Sequence, residues 1–146
     1  MVLPKKQINQ IRDFNRQYTQ ALGVLDKRLL GPTLNWTEAR VLLEIKLNHC
    51  PTPLALARLL DLDKSYTSRI IKKLVQKQLV SKTASTQDLR SVTLTLTAKG
   101  DEVARDLDQK SQEQIRWLLR NLNAAEQEEF YTGIRKLAQL LTKGKS

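Results

Sequence analysis

Apolar residues recur at steps of three and four in several blocks of the chain, and at steps of two in one. From Gln7 to Leu30, the residues Ile8, Ile11, Phe14, Tyr18, Leu22, Leu25 and Leu29 draw one stripe, which predicts a long amphipathic helix stopped by Gly31-Pro32. Asn35 or Thr37 can cap the next helix, with Ala39, Leu42, Leu43 and Leu47 facing inward and Glu38, Arg40, Glu44 and Lys46 left for water. Val41 and Ile45 lie on a second side of it, so this helix is expected to be covered on more than one face. Thr52-Pro53 opens a short helix that ends near Leu60, and Asp61-Leu62-Asp63 is a tight turn.

The phase of the following block carries the functional argument. Asp63 can cap a helix from Lys64 to about Gln78 in which Thr67, Ile70, Ile71 and Leu74 share one face. Ser65, Tyr66, Ser68, Arg69, Lys72 and Lys73 must then point away from the core. Two helices joined by a short turn, the second with a polar and basic outer face, form a helix-turn-helix, whose second helix enters the major groove of DNA. Arg69 has the fork that matches the two acceptors of guanine, Ser65, Tyr66 and Ser68 reach bases or phosphates, and Lys72 and Lys73 suit phosphates.

Period two takes over next. Ser81-Lys82-Thr83 is a short extended run, and Val92, Leu94 and Leu96 alternate with threonines through Ser91–Thr97, which predicts a half-buried strand. The polar tip between them makes a hairpin, or wing, with Arg90 placed for a minor groove and Asp88 placed to brace it. Thr97 can cap a long helix carrying Val103, Leu107, Ile115, Leu118, Leu119 and Leu122. Asn123 through Glu126 fits a capping box opening a last helix with Phe130, Ile134, Leu137, Ala138 and Leu141. The expected fold is mainly α with a small β-hairpin: a winged helix-turn-helix over 35–99, flanked in a single domain by helices at 1–31 and 100–146. Apolar stripes at both ends are best satisfied by a second subunit, so the flanking helices are expected to form a homodimer.

Charge sharpens the same picture. The formal net charge is +10, and residues 64–99 hold eight Lys and Arg against one acid, Asp88. Such focusing favours a polyanion as partner over solubility alone. The expected partner is double-stranded DNA, and no cofactor is called for. The N-terminus MVLPKKQINQ has no signal-like apolar region and no apolar run approaches the ~20 residues of a membrane span, which predicts a cytoplasmic protein with no membrane partner. Cys50 stands alone and His49 is the one histidine, which argues against a disulfide framework or a Cys/His zinc site. Cys50 is expected to be an inert thiol rather than a redox sensor. With no paired carboxylates or nucleophile relay in view, no enzyme is expected.

The run Asp88-Leu89-Arg90-Ser91-Val92-Thr93-Leu94-Thr95-Leu96-Thr97-Ala98-Lys99-Gly100 resembles the wing signature of the MarR family of winged-helix transcriptional regulators, and Lys64 through Arg69 followed by Lys73-Leu74 resembles its recognition helix. The resemblance implies DNA contacts from the outward residues of that helix and from Arg90, dimerisation through the terminal helices, and regulation of transcription on a pseudo-palindromic operator. Two positions depart from the pattern: Gln78 stands where the family usually has Gly before Leu-Val, and Lys82 where it often has Arg. Many family members answer to a small ligand in a crevice between the dimer helices and the winged helix. Phe14, Tyr18 and Trp36 are candidates to line one, although aromatic residues at helical spacing more often serve a core. Residues 11–19 and 29–42 also resemble the regulator half of MarR-GNAT fusions, in which an acetyltransferase domain follows. That likeness implies either a stand-alone relative or the regulatory half of such a protein.

Overall fold

The fold is known from a computed structural model, which describes residues 2–30, 34–49, 51–84 and 92–144, with 23–30 described as helical backbone alone. Among the described residues, six helices and one hairpin follow in the order α1 (Lys5–Leu30), α2 (Trp36–Leu47), α3 (Pro53–Leu60), α4 (Lys64–Gln76), β1 (Val80–Ala84), β2 (Val92–Leu96), α5 (Ala98–Leu118) and α6 (Ala124–Lys143). The chain divides into two compact units, residues 1–112 and 113–146.

In the first unit each short helix begins on a side chain that accepts from the N–H three residues on, satisfying a donor that has no partner within the helix. Asn35, not Thr37, takes this role for α2 (to Glu38 N, 2.9 Å), Thr52 for α3 (to Ala55 N, 3.1 Å) and Asp63 for α4 (to Tyr66 N, 3.2 Å). The caps fix where the helices start, and the core fixes how they turn. Val41, Leu42, Leu56, Ile71, Leu74 and Leu94 are almost wholly buried, and Val80, Ala104 and Leu107 join them from the hairpin and from α5. Burial of both Leu42 and Val41 with Ile45 bears out the two covered sides of α2.

Several positions differ from the sequence reading. Leu47 is exposed because α2 ends on it and Asn48 closes the helix. Glu38, read as facing water, is buried, with its carboxylate accepting from Lys77 Nζ at 2.6 Å. Lys46 is half-buried and donates to Asp101 Oδ1 at 2.7 Å, linking α2 to α5. Periodicity assigns both to water because it registers polarity and not the partner that allows burial. α4 stops at Gln76, two residues short of the expected end.

The hairpin is antiparallel, with Val80 opposite Leu96, Lys82 opposite Leu94 and Ala84 opposite Val92. Leu94 N also donates to Pro51 O at 3.0 Å, which ties the wing to the segment ahead of α3. On α1, Ile8, Ile11 and Phe14 of the apolar stripe stand exposed.

In the second unit, Leu119 and Leu122 fall beyond the end of α5, in the turn before α6. Gln127 Nε2 reaches back to the carbonyls of Leu119 (3.3 Å) and Leu122 (3.2 Å), and these bonds close that turn. The capping box forms as the sequence predicts: Glu126 N donates to Asn123 Oδ1 (2.8 Å) and Asn123 N to Glu126 Oε2 (3.0 Å). α6 buries none of its residues, and Leu137, Leu140 and Leu141 are about half exposed or more.

Candidate nucleic-acid interface

The outer face of α4 is set by its inner one. Thr67, Ile70, Ile71 and Leu74 are buried, so Lys64, Ser65, Tyr66, Ser68, Arg69, Lys72 and Lys73 all lie exposed. The six residues expected on this face are where the phase argument puts them, and Lys64 joins them. With Ser68, Pro53 and Leu54, Lys64 lines a shallow hollow of about 270 Å³ between α3 and α4. Its position as the first residue of the basic stretch was the signal for it.

Two details order the face. Asp63, besides capping the helix with its side chain, accepts through its carbonyl from Thr67 Oγ1 at 2.9 Å, which anchors the first turn. One turn along, Arg69 Cζ lies 5.8 Å from the centroid of the Tyr66 ring. Lys77 differs from the cations of the outer face: its bond to the buried Glu38 turns it toward the body of the winged helix.

Between α4 and the wing, the chain turns through Gln78, whose φ is 62°. Gln78 N donates to Val75 O and Leu79 N to Leu74 O, both at 3.0 Å, so the helix ends in a Schellman motif with Gln78 in the left-handed position that favours glycine. Thr97 grips this turn from the far end of the hairpin. Its N–H donates to Leu79 O (3.1 Å), its hydroxyl donates to Gln78 O (2.7 Å), and the same hydroxyl accepts from Gly100 N (2.9 Å), capping α5. Gln78 in place of the usual Gly thus leaves the turn intact.

Lys82 is exposed on β1. Asp88 and Arg90, the wing-tip candidates, lie outside the described residues, as does Cys50. Phe14 and Tyr18 stack with centroids 5.6 Å apart, and Trp36 is 49% exposed at the start of α2; among the described residues no ring contact joins Trp36 to either. Beside Lys46, Asp101 also meets Arg105 at 3.0 Å, and the Lys46 hydrogen bond holds its carboxyl below the usual aspartate range. Among the described residues, no three His, Cys, Asp or Glu side chains converge on a metal-sized site, and no helix is long and apolar enough to cross a membrane.

Helix-turn-helix, basic outer face and adjoining hairpin together make a winged helix of the DNA-binding class. Residues 34–92 match the model of the MarR family. The whole fold follows the same type. Wild-type MarR from E. coli in its apo form is 24% identical, with a TM-score of 0.71 over 94% of this chain and 98% of that one. The PcaV transcriptional regulator from Streptomyces coelicolor, solved with its natural ligand, is 23% identical, with a TM-score of 0.73 over 95% and 98% of the two chains. A mutant MarR from E. coli complexed with operator DNA is 26% identical, with a TM-score of 0.70 over 88% and 96%. No curated protein sequence matches the chain.

Proposed function

We propose that the chain is a sequence-specific, double-stranded DNA-binding transcriptional regulator that works as a homodimer on a pseudo-palindromic operator. The observation that carries this reading is the outer face of α4, where seven polar or basic side chains stand exposed over a helix whose opposite side is locked into the core. In this reading α4 enters the major groove with its first turns against base edges, Arg69 takes a guanine, and Ser65 and Ser68 contact bases or phosphates. Lys72 and Lys73 neutralise phosphates, and Lys82 with Arg90, braced by Asp88, anchors the wing. The operator-bound mutant MarR of similar fold supports the assignment.

The dimer rests on the exposed apolar stripes of α1 and, separately, of α6, which a partner subunit would cover. Two reading heads would then meet half-sites about one DNA turn, roughly 34 Å, apart. Small-molecule control through a crevice involving Phe14, Tyr18 and Trp36 belongs to the same reading, supported by the ligand-bound PcaV structure. The alternative, a regulatory module of an acetyltransferase fusion, rests on residues 11–19 and 29–42 and is decided by the genomic reading frame downstream of Ser146.

Selection of bound duplexes from a random pool, followed by affinity measurements at several salt concentrations, tests the proposal. A palindromic consensus is the expected outcome. Equal affinity for selected and random duplex would refute sequence reading. Within a selected site, Arg69→Ala should cost about 1–3 kcal/mol at one base position, whereas Lys72→Ala should weaken all sequences alike and flatten the salt slope.

A further inference from the structure

Tyr66 and Arg69 make a contact that the fold does not need. Both side chains are exposed, and neither joins the core. The guanidinium nevertheless lies over the ring, Cζ to centroid 5.8 Å. Helical side chains lean toward the N-terminus, so a residue three positions on can reach back over Tyr66. This draws the Arg69 charge toward the first turn of α4, where the helix dipole opposes a cation. The negative face of the tyrosine ring offsets that opposition. Tyr66 itself is held by its backbone N–H, which donates to Asp63 Oδ2 at 3.2 Å. Among the described residues no carboxylate pairs with Arg69, which leaves the ring as the contact recorded for its guanidinium.

We propose that Tyr66 is a positioning residue for base recognition: its ring holds the Arg69 guanidinium over the N-terminal turn of α4, aimed at a guanine edge. The inference rests on the reading of α4 as the major-groove helix. An arginine without this support spreads over many rotamers, some of which reach phosphates instead of bases. Loss of the ring should therefore reduce base preference and leave the electrostatic part of binding unchanged.

The test uses the full chain and a duplex selected from a random pool, with the base pair whose preference Arg69→Ala abolishes taken as the probe position. Affinity is measured for the preferred pair and for its replacement, at several salt concentrations. Tyr66→Ala should reduce preference at that pair by about two- to fivefold, the factor an exposed cation–π contact sustains. The salt slope should not change, Tyr66→Phe should retain the preference, and Tyr66→Ala should have no further effect in the Arg69→Ala background. If Tyr66→Ala weakens every sequence alike or flattens the salt slope, the ring contacts the DNA backbone and positioning is overturned. Equal losses with and without Arg69 would mean that Tyr66 reads DNA independently, which also overturns it. A wild-type chain with no preferred sequence at all would instead remove the regulator reading, before any Tyr66 variant is measured.

Discussion

Gln78 occupies a conformation that its side chain disfavours, and Gln78→Gly should stabilise the protein. At φ 62° the Cβ of an L-residue crowds the following carbonyl, at a cost of roughly 1–2 kcal/mol. Glycine avoids that crowding but gains freedom in the unfolded chain, which takes back about 0.4–1 kcal/mol. The glutamine side chain is exposed, so its removal opens no cavity. The Schellman bonds and the Thr97 bonds involve backbone atoms of residues 78 and 79 and survive the substitution. A net gain of about 0.5–1 kcal/mol follows, or a rise in Tm of about 1–4 °C for a chain of this size. Thermal unfolding followed by circular dichroism, at one fixed protein concentration so that association does not shift the midpoint, measures it. Gln78→Ala is the control: it removes the same polar group but retains Cβ, and should stay near wild type. If the glycine variant melts at or below the alanine variant, Cβ crowding at this turn is not the controlling term.

Further substitutions probe the joints around this turn. A Cβ on Gly100 would stand 1.9 Å from Leu79 O and 2.8 Å from Leu79 C, so Gly100→Ala must displace backbone, and urea unfolding should show a loss of about 1–3 kcal/mol or more. Lys77→Met leaves the Glu38 carboxylate buried without its 2.6 Å partner, whereas Glu38→Gln leaves a cation that water can reach. The lysine variant should therefore be the less stable in the same assay, by about 1–3 kcal/mol relative to wild type. Because the Lys46 bond depresses the Asp101 pKa, its stabilising contribution is present above the ordinary aspartate range and is lost as pH falls through the lowered value. Asp101→Asn should accordingly flatten the fall of stability below about pH 4.

The helix α4 was the most legible part of the molecule. A side chain's place on α4 follows from a 3.6-residue period and four apolar anchors, and no tertiary partner intervenes to alter it. Helix starts were legible for a similar reason, since Thr52, Asp63 and Asn123 act on N–H groups three residues away. What escaped was tertiary pairing. Glu38 lies 39 positions from Lys77 in sequence and Lys46 lies 55 from Asp101, and no local pattern marks a polar residue for a partner at such a distance. Leu47 misled for the opposite reason, because the apolar period continues to the last residue of α2 while the helix, and its cover, stop there.

These joints also divide the wing signature by role. Its first part, Asp88 and Arg90, belongs to the proposed DNA contact, whereas Thr97 and Gly100 at its other end act within the protein. Thr97 makes four hydrogen bonds, two on the turn that ends α4 and two that open α5, from Gly100 N and Asp101 N. The close approach of Gly100 to Leu79 leaves no room for a larger residue beside that turn. The end of α4 and the start of α5 are therefore clamped to one another through Thr97 and Gly100. Displacement of α5 at its first turn would strain the end of α4 before any looser contact yields. Since Asp101 follows in the same turn and holds Lys46 of α2, the clamp also reaches the helix that begins at Trp36.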